Sequence, residues 1–575
     1  MVNMSESIEK DFVSVDLADM ASNEHQKVQY IEEGKVTIIV YGDILIDESL
    51  ADIGSLPQLY NLSLDLSSFY QQLSGCFWLL VVDAAKQRVT LVNDQLGMQA
   101  CYYAKQANKL LVSSSLKTLK AKALEPFTLS KQAIFNYIYF HCIPSPSTIY
   151  QQAAKLEPSK ALIFAKGKQL SQTLYRPKFA SHNINISALQ TQCLSVIEQA
   201  VKGHITDNCG AFLSGGLDSS TVAGMLAKSS KKAKTFSIGF TLASYDETPY
   251  AKLTAKHFNT QHRVLYLQSE HAADEFVKVA QYFDEPFGNS SAMAAYFCAK
   301  FAKQQGVTTL LAGDGGDELF AGNERYAKQK VFEAYQKVPY GFQKIAKGII
   351  CHTPISKLPL FNKAASYINQ AEIKLPERLH SYNFVNQLGH EAIFEDDFLA
   401  EVDSRQPIEQ LQSRYDDCTS DDPVDCMLYL DWKFTLADND LLKVNKMCEF
   451  AGVKVRYPLL DKAVVDFSCK IAAHEKLPRS TLRKFYKDSC RGFLADQTLT
   501  KSKHGFGLPF GAWMKENRAL KTLTLNTLNA FKKRNIVKDS LIDNALNAHQ
   551  NVHTGYFGEL IWILVVLELW LQKYE

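Results

Sequence analysis

Between Lys35 and Ser115 short β-rich runs, Val36–Tyr41, Phe77–Val82, Val89–Asn93 and Leu110–Ser113, are broken by Gly, Asp, Asn and Lys, which predicts strand-dominated layers. A Pro-containing stretch, Ile143-Pro144-Ser145-Pro146-Ser147, and the polar segment from Pro177 to Ser187 interrupt this pattern before a long amphipathic run begins near Leu189. Beyond it, strand candidates alternate with helical stretches: Cys209–Leu213 before Ser220–Ala227, Lys234–Phe240 before Pro249–His257, then Thr308–Ala312. That alternation predicts an α/β domain with a parallel, doubly wound sheet that binds ligands at the carboxyl ends of its strands. From about Lys328 helix-length periodic segments dominate, predicting an α-helical C-terminal elaboration, with no internal repeat or low-complexity tract. The boundary is set in the polar segment, giving a first domain over 1–180 and a second over 181–575.

Composition agrees with that division, since 575 residues exceed one hydrophobic core several-fold and call for two or three domains. With 46% hydrophobic and 22% charged residues, nothing marks the chain as fibrous or disordered. A net charge of +2 provides no global field to recruit nucleic acid or an anionic membrane, so neither is expected as a partner and any phosphate binding must be local. The 12 cysteines are scattered, without a CxxC pair or a close Cys/His cluster, which argues against zinc and a disulfide framework. Met1 to Asp11 lack the basic and apolar regions of a secretory signal, so a cytoplasmic protein starting near Met1 is expected. Leu560 to Leu571 is the most apolar stretch; interrupted by Glu568 and short of the roughly 20 residues that span a bilayer, it reads as a buried C-terminal helix.

Chemistry enters at Ala211-Phe212-Leu213-Ser214-Gly215-Gly216-Leu217-Asp218-Ser219-Ser220, where an apolar strand runs into paired glycines, then Asp and two hydroxyls that open a helix. Glycines let backbone N–H groups approach an anion, and the helix N-terminus adds partial positive charge, so the loop suits pyrophosphate. It is neither GxxxxGK[ST] nor GxGxxG, and without a Lys after the glycines γ-phosphoryl transfer is not expected. The sequence SGGLDSS resembles the PP-loop of ATP pyrophosphatases, whose members attack the α-phosphate and release pyrophosphate; the plain alternative is a Gly-rich turn capped by Ser219.

A second loop, Leu310-Leu311-Ala312-Gly313-Asp314-Gly315-Gly316-Asp317-Glu318-Leu319-Phe320-Ala321-Gly322, gathers three acids in a glycine-rich turn after an apolar strand. Their repulsion needs an offsetting cation or a functional demand. Asp218 and Asp317 can each ligate Mg2+ bridging ATP phosphates, because Mg2+ takes one or two carboxylates plus phosphate oxygens. A solvated acidic turn stays open, while the DxDxDG spacing of a calcium loop is absent.

Together SGGLDSS and GDGGDELFAG, with Phe236-Ser237-Ile238-Gly239-Phe240 and Asp284-Glu285-Pro286 between them, resemble the synthetase domain of asparagine synthetase. Val455-Arg456-Tyr457-Pro458-Leu459-Leu460-Asp461 and Lys501-Ser502-Lys503-His504-Gly505-Phe506-Gly507-Leu508-Pro509 extend the likeness over nearly the whole chain. The resemblance implies an ATP site formed by Leu213, Ser214, Gly215, Gly216, Asp218, Ser219 and Ser220, by Ile238 against the adenine, and by Ala312 and Gly313. It also implies Asp218 and Asp317 as magnesium ligands, and Lys503 as the cation that closes on pyrophosphate and the amide-forming transition state. Asp314 sits where the family places an acid near the reacting amine, and Glu318 lies one turn on; both are candidate bases. The family's Asp-Arg-Met is replaced by Asn445-Lys446-Met447, which removes a carboxylate and a forked guanidinium from the acceptor side.

Leu73-Ser74-Gly75-Cys76-Phe77, Asn93-Asp94-Gln95-Leu96-Gly97, Cys101-Tyr102-Tyr103 and Ser113-Ser114-Ser115-Leu116-Lys117 resemble the rear of a class II glutaminase domain. An α+β N-terminal sandwich of the Ntn-hydrolase type is therefore implied. Such domains use an N-terminal cysteine exposed by removal of Met1, and here residue 2 is Val2. With no thiolate there, and Cys76 in a strand pattern that suits a buried structural cysteine, no glutaminase activity is expected. Nitrogen would come from ammonia, a separate glutaminase or an amine on the acceptor. The leading expectation is an ATP-dependent ligase making an amide, with aspartate as the default carboxylate and a homodimer compatible with it. Family relatives that lost this cysteine, β-lactam synthetases, lasso-peptide cyclases and proteins of exopolysaccharide clusters, keep a tailoring ligase acting on a peptide, sugar acid or specialised metabolite open. A non-catalytic nucleotide-binding partner is the alternative from another class.

Overall fold

The computed structural model describes all residues except 1–10, 18–20, 27, 47–48, 183–184, 337, 340, 345–346, 348–358 and 502–506. In the first half two antiparallel sheets stack face to face. One runs in the order Ala154–Lys155, Tyr102–Gln106, Lys109–Ser113, Phe12–Asp16, Ala21–Gln26. The other runs Lys168–Thr173, Lys160–Ala165, Arg88–Asn93, Ser74–Asp83, Val36–Ile46, Gln29–Glu33, with Ser49–Leu50 beside Val36–Ile46.

Period-two alternation explains the layering. Val13, Val15, Leu110 and Val112 face Ile39, Trp78, Leu80 and Val82 between the sheets. The intervening Ile38, Val40, Phe77, Leu79 and Val81 turn to the opposite face and pack with Leu56, Tyr60 and Phe69 of the helices Leu56–Leu62 and Leu66–Gln71. All four predicted runs lie within strands. Burial on both faces is why Phe77–Val82 reads as a continuous apolar run.

The expectation of strand-dominated layers omits the helices Leu56–Leu62, Leu66–Gln71, Leu116–Lys122 and Lys131–Phe140. The last three are capped by the side chains of Asp65, Ser115 and Ser130, each accepting a backbone N–H three residues on. They are too short for a helical period to stand out.

The second half holds a five-stranded parallel sheet in the order Gln261–Leu267, Lys234–Phe240, Cys209–Phe212, Thr309–Leu311, Lys454–Arg456. Two of these strands were not predicted: Lys454–Arg456 falls in the Val455-Arg456 block and is too short to show periodicity, and Gln261–Leu267 is a largely exposed edge strand with few buried apolar positions. Strand order reverses between Cys209–Phe212 and Thr309–Leu311, so the loops that leave these two neighbours open the crevice where doubly wound sheets take their ligands.

The C-terminal expectation needs correcting in one respect. The helix runs Thr554–Tyr574, 21 residues, because polar ends extend the apolar segment, and it is long and apolar enough to cross a membrane by length and composition. Yet 72% of its most apolar window is buried inside the protein, against the helices Ser269–Tyr282, Phe510–Glu516, Arg518–Lys532 and Asp539–Asn551. Its Glu568 is buried and paired with Arg534.

The halves meet through buried charges. Lys155 Nζ lies 2.8 Å from Glu285 Oε2, and Asp284 accepts from Ser115 Oγ at 2.7 Å while pairing with Lys446. Burial alone would raise the Asp284 carboxyl, but the Lys446 and Lys117 ammoniums hold it well below the usual carboxylate range.

Candidate active site

The first loop begins where the strand Cys209–Phe212 ends, and Leu213 N–H still pairs with Phe236 O at 2.9 Å. Gly215 has φ +78°, and a Cβ there would lie 2.5 Å from the Ala251 nitrogen, so both the turn and its close approach require glycine. Gly216, in extended conformation, caps the helix Leu217–Ser229 without a side chain. That helix starts three residues earlier than predicted, which puts Asp218, Ser219 and Ser220 in its first turn with their N–H groups at the positive end. Ser219 Oγ accepts from Ser214 N–H at 3.2 Å and lies 3.0 Å from Ser214 Oγ, tying the loop into a cradle.

The second loop lies against the first. A Cβ on Gly313 would meet the Ser219 nitrogen at 2.7 Å, and one on Gly316 would strike the Asp218 carboxyl. Gly315, at φ +97°, turns the chain into the helix Gly316–Phe320. Asp218 and Asp317 are thereby brought together on one guanidinium: Arg483 Nη1 donates to the Asp218 oxygens at 2.9 and 2.8 Å, and Nη2 pairs with Asp317.

These loops floor a cleft of about 320 Å³, lined by Leu213, Ser214, Gly216, Asp218, Ser219, Ile238, Gly313, Asp314, Asp317 and Glu318. Its far wall carries Leu436, Asp440, Lys443 and Val444. Trp432–Asp440 is a π-helical stretch running straight into the α-helix Leu441–Ala451; such stretches are frequent at functional sites. Asp440 and Lys443, joined at 2.8 Å, line the cleft, while Asp438, Asn445 and Lys446 line a smaller crevice against the first half.

Burial pushes the Asp314 carboxyl up to about 6, against the pull of the Lys443 ammonium. Lys443 itself is raised, despite burial, by Asp440 and Asp314. A carboxylate poised near neutrality beside a lysine can accept a proton, and the lysine can hold an anionic substrate.

Some expected site residues lie elsewhere. Ser220 is buried with its hydroxyl 3.0 Å from Thr254 Oγ1, because the fourth helical position turns it into the core and away from the cleft. Ala312 is buried and its N–H serves Arg456 O at 2.9 Å, continuing the sheet instead of reaching the cleft. Lys503 lies outside the described residues, as does Val2; Lys501, its near neighbour, is bound to Glu247 of the cleft wall at 2.8 Å. Asn445 donates to Met98 O at 2.6 Å and accepts from Tyr457 OH at 2.8 Å, so the Asn445-Lys446 departure faces the first half and not this cleft.

Arg483, Asp440, Lys443 and Glu247 were missed by sequence reasoning. Each lies on a helix or at a helix start with no glycine-rich turn to flag it, and only the tertiary fold brings it to the loops.

Among the described residues no group of three or more His, Cys, Asp or Glu side chains is arranged to hold a metal ion. Asp218 and Asp317 nevertheless fit magnesium as it occurs with nucleotides, with two carboxylates on one cationic point and the remaining ligands left to phosphate and water.

An α/β domain with a glycine-lined cradle and convergent carboxylates at its switch point, joined to an antiparallel sandwich, defines the class of protein. The chain belongs to the asparagine synthase family, whose model matches residues 192–572. A glutamine amidotransferase domain model matches residues 61–176. Asparagine synthetase [glutamine-hydrolyzing] 1 of Bacillus subtilis is 25% identical over 521 residues, 87% of this chain and 77% of its own length. The second asparagine synthetase [glutamine-hydrolyzing] assigned to Methanocaldococcus jannaschii is 30% identical over 475 residues, 76% of this chain and 89% of its own. Amidase chry2 of Gibberella zeae is 24% identical over 290 residues, 46% of this chain and 42% of its own.

Proposed function

We propose that this protein is an ATP-dependent carbon–nitrogen ligase of the asparagine synthetase type that adenylates a carboxylate, by default that of L-aspartate, and forms an amide with ammonia or an amine. The observation that carries the reading is the meeting of the two glycine loops at the sheet's switch point, with Asp218 and Asp317 on one cationic centre and Ile238 in the same cleft.

The N–H groups at the start of the helix Leu217–Ser229 and the hydroxyls of Ser214 and Ser219 cradle the phosphates. Asp218 and Asp317 would hold the nucleotide's magnesium, which would neutralise phosphate charge. A substrate carboxylate oxygen attacks the α-phosphorus, the bond to pyrophosphate breaks, and an acyl adenylate remains. Amine nitrogen then attacks the acyl carbon, AMP departs, and Asp314 accepts the nitrogen's proton. Lys443 orients the carboxylate substrate on the opposite wall, and Lys503 extends the set as the cation for departing pyrophosphate.

The amine is taken up as such, without a glutaminase step in this chain. In support, Cys101 and Cys142 are buried and Cys76, half-buried rather than the buried cysteine its strand pattern suggests, is still desolvated, so all three thiols are pushed far above their ordinary range and none is a ready thiolate. ATP–pyrophosphate exchange with aspartate and a panel of other carboxylic acids, run with Mg2+, tests the first half-reaction; exchange independent of the acid sinks it. Amide formation from glutamine that ammonium cannot replace sinks the second claim.

A further inference from the structure

Asp218 and Asp317 come from different loops, yet both carboxylates end on the Arg483 guanidinium. Arg483 is held for this contact: its side chain is 10% exposed, its backbone takes the left-handed φ +54°, and its N–H donates to Ala321 O at 3.3 Å. Gly322 leaves room that any Cβ would take from Asp317 and Arg483, as Gly316 does for Asp218. Three segments distant in sequence are therefore shaped round one ion-pair triad.

Arg483 Nη1 takes both Asp218 oxygens and Nη2 takes Asp317 Oδ1, so a divalent cation bound by these carboxylates competes with the guanidinium for the same oxygens. Two carboxylates with one guanidinium also leave a net negative charge, which favours exchange for a doubly charged ion. We propose that Arg483 is the resident counter-ion of the metal site. In the metal-free protein it keeps Asp218 and Asp317 in position, on arrival of the metal–nucleotide it releases them, and its freed fork then binds the pyrophosphate end of the nucleotide. Planar guanidinium matches phosphate oxygens bidentately, so the released group has an anion to turn to beside the cleft-lining carboxylates it leaves. The inference rests on the adenylation reading above, and no bond is made or broken in the swap itself.

The probe is Mn2+ alone, titrated into the nucleotide-free full chain and read by electron paramagnetic resonance. Arg483→Met should bind Mn2+ at least about tenfold more tightly than wild type, since the carboxylates no longer have to shed a partner. Arg483→Lys should fall between, because one ammonium cannot fork to both carboxylates. Asp218→Asn should remove the gain in either background. Pyrophosphate, titrated with Mn2+ present, should bind Arg483→Met at least about tenfold more weakly than wild type.

If Arg483→Met does not fold without metal, recovery of its circular dichroism on adding Mn2+ is the expected replacement of one cation by another, and Arg483→Lys carries the affinity comparison. Equal Mn2+ affinity in wild type and variants overturns the proposal, as does unchanged pyrophosphate affinity. Pyrophosphate exchange by the wild type separates the two readings. Exchange present with equal Mn2+ affinities sinks the Arg483 proposal alone, and exchange absent with every acid sinks the adenylation reading.

Discussion

Replacing Gly313 by alanine adds a single methyl group at the seam between the two loops. That methyl would meet the Ser219 nitrogen at 2.7 Å, the Asp218 carbonyl carbon at 2.9 Å and the Ser219 Cα at 3.0 Å, all backbone atoms that no rotamer change can move aside. To restore ordinary contact at 3.4 Å the loops must part by about 0.7 Å. Overpacking of this kind costs about 1–3 kcal/mol. Displacing positioned groups by nearly 1 Å costs on the order of 10²-fold in rate, so pyrophosphate exchange should fall by about one to two orders of magnitude. Gly203 provides the control: it is exposed, sits in the helix Ile186–His204, and has nothing within 4 Å of a new Cβ. Gly203→Ala should stabilise by about 0.5 kcal/mol through helix propensity and leave exchange unchanged. Urea denaturation and exchange on both variants are the assays. A Gly313→Ala protein with wild-type midpoint and wild-type exchange would refute the loop contact.

Two further outcomes follow from the charges. With the Asp314 carboxyl raised to about 6, its ionised form is lost as pH falls through that value, so amide formation should decline about tenfold per unit below pH 6. Asp314→Asn should lower the rate at pH 8 and abolish that limb, which a pH–rate profile reads directly; an unchanged limb removes Asp314 as base. Lys155→Met strips the partner from Glu285 in a pair where both side chains are under 10% exposed, and should cost about 3–5 kcal/mol in urea denaturation. The double variant Lys155→Met/Glu285→Leu should recover most of that loss, since it leaves no uncompensated buried charge.

Much of this arrangement was legible in the sequence because its signals are local. The glycine loops announce themselves by turn chemistry after apolar strands, and β/α alternation gives the parallel sheet that sets them side by side. The short capped helices of the first half escaped, their few residues carrying no measurable period. Arg483, Asp440 and Lys443 escaped for another reason. A charged residue on a helix reads as a solvated face until the fold shows what lies opposite, and Arg483 is 265 residues from the Asp218 it binds. The C-terminal helix was legible in place but not in length, since its polar, largely exposed ends look like loop beside the buried apolar stretch.

The central claim is that a substrate carboxylate bonds to the α-phosphorus in this cleft, and isotope transfer tests it most directly. The protein is incubated with ATP, Mg2+, ammonia and aspartate whose side-chain carboxylate carries oxygen-18, and the nucleotide product is analysed by mass spectrometry. The account predicts one labelled oxygen in AMP for each amide formed, and neither product from Asp218→Ala. Amide formed alongside ADP, or alongside AMP without label, would contradict it.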